Sequence, residues 1–431
     1  MSPTFHSLGI RNYRIYAMGG IVSNIGTWMG RVAQDWLVLT VLTSGSASAL
    51  GIVTGLQFLP FLLLVPWAGM VADRVPNRRL LFMTQSALLV TALLLAVITA
   101  LGVVQLWHVY AIALIQGVAT AFDNPARQTF VSEMVDRDHL ANAVALNSAS
   151  FNIGRLVGPG VAGIVIAVVG IAPAMFVNAA SFLFVLAALA RMNVAELTPA
   201  PKSRGKGQIR EGLRYVRGRP DIQLVMFLVF ILGTFGMNFQ VTMALMATQV
   251  FHKGPGEYGL LGSIMAIGSL SGALIAARRN HPRLRILLLA LVGFTASTLL
   301  LSLAPSYWLF AVFLVPTGLA SLTALTTANA TVQLAVDPAV RGRVMALYMA
   351  IFMGGTPLGS PLIGWIGDAF GARWTIAIGT IMVGLSLVVV AIWTARTQNV
   401  AVSFQTQGRP RLRIAVNRPP SGIPTEPEAV K

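Results

Sequence analysis

The chain contains no cysteine and few charged residues, and these two shortages exclude several classes of protein. Without cysteine there can be no disulfide and no thiolate metal site. Only 10% of the 431 residues are charged and 55% are hydrophobic, with a mean hydropathy of +0.74. An average soluble domain carries about 25% charged residues, so a soluble fold would have too little polar surface here. The sequence therefore predicts an integral membrane protein.

Motifs for nucleotide hydrolysis, metal binding and covalent catalysis are also missing. The glycine-rich string GGTPLG at 354–359 lies inside an apolar run and lacks the lysine that a phosphate-binding loop needs. The polar residues Met1 to Asn12 show no signal-peptide cleavage pattern, so we expect the first span to direct its own insertion. We expect no enzyme activity, no cofactor, no metal site, no catalytic residue and no ATP drive.

Twelve apolar runs are long enough to form transmembrane helices. The spans are predicted at about Tyr13–Leu42, Ala47–Val71, Leu80–Leu101, Trp107–Val131, Leu140–Val169, Ala172–Arg191, Asp221–Val250, Tyr258–Ala277, Leu284–Leu303, Tyr307–Val336, Arg341–Phe370 and Trp374–Ala395. The predicted fold class is therefore an all-α integral membrane protein with twelve transmembrane helices in two six-helix pseudo-repeats. Its predicted domains are an N-terminal six-helix bundle (1–191), a basic cytoplasmic linker (192–220), a C-terminal six-helix bundle (221–395) and a disordered cytoplasmic tail (396–431).

The positive charges are distributed unevenly between the two sides of the predicted membrane domain. The chain has 31 Lys and Arg against 14 Asp and Glu, a net charge of +17. With the amino terminus inside, the six outer connections contain only Lys253 and Arg373 as basic residues. The positive-inside rule then predicts a multi-pass protein of the inner membrane with both termini cytoplasmic. Topology accounts for the charge, so we expect the lipid bilayer and no nucleic acid as a partner.

The two halves of the chain repeat each other at an offset of 201 residues. Four glycines of the first half recur in the second half, and Asp136 recurs as Asp337. The glycine pairs are Gly154 with Gly355, Gly158 with Gly359, Gly163 with Gly364 and Gly170 with Gly371. A parallel repeat of six plus six spans is a transporter layout, whereas a soluble repeat array would show a much shorter period.

Residues 69–79, GMVADRVPNRR, connect spans 2 and 3. The segment resembles the signature loop of the major facilitator superfamily, G-x-x-x-D-R-x-x-x-[RK]-[RK]. In that family the loop latches the cytoplasmic side, which implies a gating role for Gly69, Asp73, Arg74, Arg78 and Arg79. An acid near a helix amino terminus is stabilised by the macrodipole, so the role is physically reasonable. The alternative is that the loop only determines topology.

Span 5 contains the run GRLVGPGVAG at 154–163. Glycines four apart let helices approach closely, and a proline inside a helix permits a kink. The run resembles the span-5 motif of exporters of this superfamily through Gly154, Gly158, Pro159 and Gly163. Ordinary packing of small residues is the alternative explanation.

Five charged residues lie away from the ends of the predicted spans, the last of them closer to the inner face: Asp35, Asp123, Arg31, Arg155 and Arg127. On insertion scales a charge at the membrane centre costs at least about 2.5–3.5 kcal/mol, so such residues usually line a cavity or a proton route. These five are the candidates for proton coupling. The alternative is local neutralisation, because Arg31 and Asp35 are four residues apart on one helical face, as are Asp123 and Arg127.

Polar and aromatic residues in the spans are candidates for lining a substrate cavity, although each could instead form an interhelical hydrogen bond. These candidates are Asn24, Trp28, Gln57, Asn152, Asn238 and Gln333.

Four segments, 23–39, 121–135, 147–160 and 341–348, are similar to the drug- and siderophore-exporting, enterobactin-exporter-like branch of the superfamily. The resemblance implies a monomeric carrier of a small hydrophobic or amphipathic substrate, working by alternating access with protons moving in the opposite direction. The sequence departs from the superfamily's antiporters at Ala113, where an arginine often precedes a glycine such as Gly117 by four residues. The alternatives are a proton-independent or uptake carrier of a metabolite, and a non-transporting receptor or lipid scramblase.

Overall fold

The structure, a computed structural model, describes residues 3–198, 208–277, 284–337, 340–397, 400–405 and 411–416. Within these ranges a few side chains lie outside the description, among them that of Asp73 in the predicted gating loop. Parts of the predicted linker (199–207) and of the predicted tail (398–399, 406–410 and 417–431) lie outside the described residues.

The first set of long helices comprises α1 to α6, preceded by a 3-10 turn at Pro3–Gly9. The helices are α1 (Arg11–Trp36, continued by a π turn at Leu37–Leu42), α2 (Ala47–Arg74), α3 (Asn77–Ala100), α4 (Leu106–Met134), α5 (Arg137–Val169) and α6 (Ile171–Arg191). Side-chain caps determine where two of them begin, because Ser46 accepts a hydrogen bond from the Ala49 N–H and Asp136 accepts one from the His139 N–H.

The second set follows a short linker, in which a 3-10 turn (Val194–Glu196) and helix α7 (Gln208–Arg217) are found. Its helices are α8 (Pro220–Ile231), α9 (Phe239–Leu245), α10 (Pro255–Ala277), α11 (Leu284–Leu303), α12 (Tyr307–Ala335), α13 (Arg341–Phe370) and α14 (Ala372–Thr397). The π turn Leu232–Gly236 leads from α8 toward α9 and the π turn Met246–Val250 extends α9, so that one span runs over Pro220–Val250. Within the described ranges the long helical segments therefore number twelve, in agreement with the prediction.

Ten of these segments are long and apolar enough to cross a membrane. The two that fall short of that test are α1 and α4. Both are long, but they contain the buried acids Asp35 and Asp123 and the arginines Arg31 and Arg127. These two helices therefore carry the charge that lowers their hydropathy.

The structure places regular elements in the predicted linker and in the predicted tail. In helix α7 of the linker, Gly212 and Val216 lie one turn apart and are buried, with Gly212 against the Arg343 backbone. In the tail, predicted to be disordered, Val400–Gln405 pairs antiparallel with Arg411–Val416. Both segments contain β-branched or aromatic residues of the types that favour a strand. The predicted domain boundaries stay a prediction.

Two pairs of helices carry most of the contact between the sets, α2 with α13 and α5 with α10. Within the first set α1 packs on α5 and α6, and within the second set α10 and α11 pack on α12. The repeat seen in the sequence recurs in the backbone. Gly170 and Gly371 end α5 and α13 at φ +95° and +97°, a left-handed conformation that favours glycine.

The two ends of the bundle differ in how closely the sets approach. We call the end with connections 43–46, 170, 251–254 and 371 the Gly45 end, and the end with the linker the linker end. At the Gly45 end Pro159 and Gly163 of α5 contact α10. Ser148 and Asn152 lie eleven residues earlier, on the same face of α5, and are exposed and half-buried. This face of α5 therefore contacts the second set at the Gly45 end and is exposed toward the linker end, and we call the gap on this side the cleft.

Candidate functional site

The Asp35 carboxylate connects the two sets of helices. The residue is 0% exposed near the end of α1. Its Oδ1 accepts a hydrogen bond from Gln240 Nε2 of α9 at 3.0 Å, and its Oδ2 accepts one from the Tyr258 hydroxyl of α10 at 2.8 Å. The neighbouring Trp36 stacks on the Tyr258 ring with centroids 6.2 Å apart. Arg31 forms no ion pair with Asp35, whose two oxygens bind residues of the second set, although the two charges interact at longer range.

The Asp123 carboxylate binds only helices of the first set among the described residues. It is 4% exposed, and its Oδ1 accepts from Thr84 Oγ1 at 2.8 Å and from Gln85 Nε2 at 2.7 Å. Its Oδ2 accepts from Arg127 Nε and Nη2, each at 3.0 Å. The predicted pairing of Asp123 with Arg127 is thus present, and the carboxylate joins α3 to α4.

Two arginines lie near the ring of Trp28. The Arg31 Cζ lies 4.9 Å from the ring centroid, and the Arg155 Cζ lies 6.0 Å from it. Arg31 also reaches Phe58 of α2, with its Cζ 5.9 Å from that centroid. Phe151 of α5 meets Trp28 edge to face at 5.9 Å. The structure thus brings three of the predicted candidates, from α1 and α5, into one cluster.

Of the other polar candidates, two form hydrogen bonds between helices and three do not. Asn24 Nδ2 donates to Ser150 Oγ at 2.9 Å, and Asn238 Oδ1 accepts from Ser360 Oγ at 2.6 Å, so these two join helices. The remaining three are Asn152, which donates within its own helix, Gln57, whose buried Oε1 has no partner among the described residues, and Gln333, which is exposed.

The span-5 motif packs against two neighbouring helices. A Cβ on Gly154 would lie 2.8 Å from the Asn24 backbone, and one on Gly158 would lie 2.6 Å from Trp28 Cβ, so both glycines permit close packing of α1. Pro159 and Gly163 face α10 instead, where Pro159 Cβ would lie 3.0 Å from a Cβ built on Gly262. The motif therefore joins α1 of its own set to α10 of the other.

The predicted gating loop lies at the linker end. Gly69 and Arg74 belong to α2, and Arg78 Nε donates to the Leu189 carbonyl of α6 at 2.8 Å. Arg79 is exposed. Because the Asp73 side chain is outside the description, the gating role of this loop stays a prediction.

Sequence reasoning missed a second link between the sets, at Asp368 of α13. Its carboxylate accepts from Ser46 Oγ at 3.1 Å and from the backbone N–H groups of Ala47 and Ser48 at 2.7 and 2.9 Å. It therefore caps the amino terminus of α2 from the other set. The sequence places Asp368 only at a span end, and the start of α2 lies more than 300 positions away, so no local pattern links the two. Tyr258 was missed for the same reason.

The family model described as transmembrane secretion effector matches residues 2–419. Among curated proteins, the chain is 27% identical to the staphyloferrin A transporter of Staphylococcus aureus over 58% of this chain and 63% of that protein. It is 30% identical to the multidrug efflux pump Tap of Mycolicibacterium fortuitum over 59% and 64% of the two chains, and 23% identical to the enterobactin exporter EntS of Shigella boydii over 61% of each. These matches span less than two thirds of each relative's length.

Two solved structures show the same fold. A bacterial homologue of the human lysosomal transporter Spinster, inward-facing and unoccupied, superposes with a TM-score of 0.68 at 14% identity, covering 92% of this chain and 96% of that chain. A D-xylose–proton symporter superposes with a TM-score of 0.68 at 13% identity, covering 87% and 95%. At these identities the similarity establishes the fold alone. Together with the family match, it shows that the chain belongs to the transmembrane secretion effector family of major facilitator superfamily transporters, which are multi-pass membrane carriers and not enzymes.

Proposed function

We propose that the protein exports a small hydrophobic or amphipathic compound across the bacterial inner membrane by alternating access, while protons move in the opposite direction. The observation that carries the proposal is the Asp35 carboxylate, which is fully buried and bound through both oxygens to the other set of helices.

Alternating access requires the Gly45 end to open when the linker end closes. Opening must separate α1 from α9 and α10, so Asp35 loses its bonds to Gln240 and Tyr258. A buried carboxylate without partners is costly, whereas one exposed to water at the open end can bind a proton there. The proton then neutralises the group before it is buried again. Proton binding and the conformational change are thereby coupled through one side chain.

Export is the direction that we propose. The basic linker end belongs in the cytoplasm under the positive-inside rule, so the open cleft described above faces the cytoplasm, where an exported substrate would enter it. The names of two relatives, an efflux pump and an exporter, support the same direction.

The test is flux in proteoliposomes with an imposed pH gradient, using a panel of anionic, neutral and cationic fluorescent amphiphiles and a trapped pH dye. We expect at least one probe to move against its own gradient with matching proton counterflow. Asp35→Asn should reduce this uphill movement at least about tenfold, a loss of about 1.4 kcal/mol of coupling, while downhill exchange continues.

The matched control is Asp221→Asn, which removes an acid paired with Arg219 outside the cleft and 56% exposed. It should transport like the unchanged protein. Saturable movement that ignores the pH gradient would instead support the proton-independent or uptake carrier. No saturable flux of any probe would favour the receptor or scramblase. Full uphill transport by Asp35→Asn would remove this residue from the mechanism.

A further inference from the structure

The two arginines beside Trp28 lack an anionic partner in the described part of the chain. The ion pairs found there join Asp123 to Arg127, Asp136 to His139 and Asp221 to Arg219, and none of them involves Arg31 or Arg155. Both guanidinium carbons nevertheless lie within 6.0 Å of one ring centroid. Two positive charges are thus concentrated at one place inside the membrane domain.

The nearby acids are already bound elsewhere. Asp35 is one helical turn from Arg31 and offsets part of its charge, but the two Asp35 oxygens are bound by Gln240 and Tyr258 and form no ion pair with either arginine, so two positive charges face one negative charge. Asp123 is bound by Arg127 and by two residues of α3. The faces of Trp28 and Phe58 attract a cation, but this attraction offsets only part of the cost of placing two charges there. The protein therefore holds an excess of positive charge at this point, which an anion would neutralise.

The arginines also lie where a ligand can reach them. On α5, Gly154 and Gly158 face α1 and Pro159 faces α10, and the rotation of 100° per residue places Arg155 between these two directions. Its side chain is half-buried, as is that of Arg31. One turn before Arg155, Phe151 is 50% exposed. The wall of the cleft thus presents two guanidinium groups beside aromatic faces.

We infer that the transported compound is an amphiphile with an oxyanion, such as a carboxylate, attached to an aromatic ring system. The oxyanion binds between Arg31 and Arg155, because the planar guanidinium group presents paired N–H donors that match two oxygens of one anion. The aromatic part lies against Trp28, Phe58 and Phe151. The inference rests on the proposed function, since it names the substrate class of the same cleft. A cationic compound would be repelled from this wall.

The test compares three probes that share one ring system: pyrenebutyrate, pyrenebutanol and pyrenebutylammonium. Binding to the purified full-length protein in nanodiscs is measured by fluorescence anisotropy. We expect pyrenebutyrate to bind at least about tenfold more tightly than the alcohol, and the ammonium compound to bind most weakly. Arg31→Gln and Arg155→Gln should each reduce the preference for the anion about tenfold and leave binding of the alcohol within about twofold.

Two further sets of variants separate charge recognition from misfolding. Arg14→Gln removes an exposed arginine from the same helix as Arg31 and should leave all three affinities unchanged. Arg31→Lys and Arg155→Lys keep the charge, so they should retain part of the preference that the Gln variants lose.

Equal binding of the anion and the alcohol, tighter binding of the cation, or no binding of pyrenebutyrate would each overturn the inference. So would a preference for the anion that survives Arg31→Gln and Arg155→Gln together. A different result would contradict the proposed function, namely flux that does not respond to the pH gradient. A protein that prefers the anion but shows no proton coupling would keep this inference and lose the proposed antiport.

Discussion

Asp35 and Asp123 are both buried carboxylates on the two most polar long helices, and both accept hydrogen bonds through both oxygens. They differ in where the donors come from. The donors of Asp123 lie on α3 and α4, which stay together when the sets move as bodies, whereas those of Asp35 lie on α9 and α10 of the other set. Burial alone therefore does not identify a coupling residue. In the cycle that we propose, Asp35 loses its bonds and Asp123 keeps them.

The largest effect is expected from a variant of Asp123, which tests the difference between the two carboxylates. Asp123→Asn leaves the Arg127 guanidinium, 19% exposed, without its counter-charge, and removing one partner of a buried pair costs about 3–5 kcal/mol. We expect a large drop in the unfolding temperature, measured by fluorescence-detected size exclusion on heating.

Asp221→Asn breaks an exposed ion pair and is the control for this experiment, with an expected loss below about 1 kcal/mol. If Asp123→Asn unfolds at the same temperature as the unchanged protein but loses proton coupling, then Asp123 and not Asp35 is the coupling residue.

The next largest effect is expected at Tyr258. Tyr258→Phe keeps the ring that stacks on Trp36 but removes the hydroxyl that donates to Asp35. A hydrogen bond to a charged group contributes about 1.5–3 kcal/mol, so the equilibrium should shift at least about tenfold toward an open Gly45 end. Because the chain has no cysteine, spin labels placed at Val103→Cys and Leu303→Cys can report this opening by pulsed electron resonance.

Both label sites are more than half exposed, so the labels themselves should leave the packing unchanged. Thr84→Val removes a donor to Asp123 in the same way and is the matched control, since that bond lies within the first set. An equal opening in both variants would show that the distinction between the two carboxylates is wrong.

The smallest effect is expected at the α2 cap. Asp368→Ala removes a helix cap that the other set supplies, and loss of such a cap costs about 1 kcal/mol of stability. The change in the distances between the same labels should be several-fold smaller than in Tyr258→Phe. Asp136→Ala removes the cap of α5 from within its own helix. It should lower thermal stability without opening the Gly45 end, and opening in this variant would contradict the role given to Asp368.

The spans, the repeat and the pairing of Asp123 with Arg127 could be predicted, because each depends on composition or on helical spacing within a few residues. The partners of Asp35 could not. Gln240 and Tyr258 are 205 and 223 residues away in the sequence, and only the packing of α1 on the second set brings them together. Helix α7 was not predicted, because many of its residues are charged. In the structure its Gly212 packs against Arg343, which is distant in the sequence. The sequence identified the unusual residues, and the structure shows which of them form hydrogen bonds between the two sets of helices.

The pair Arg31 and Arg155 has an electrical consequence. An oxyanion that leaves the cytoplasm carries negative charge outward, and a proton that enters carries positive charge inward. Both movements follow the membrane voltage, which is negative inside, and each elementary charge gains about 2.3 kcal/mol per 100 mV. In the cycle that we propose, exchange of one monoanion for one proton would move two charges in the same sense, so the voltage across the membrane would drive export directly, even where the pH is equal on both sides.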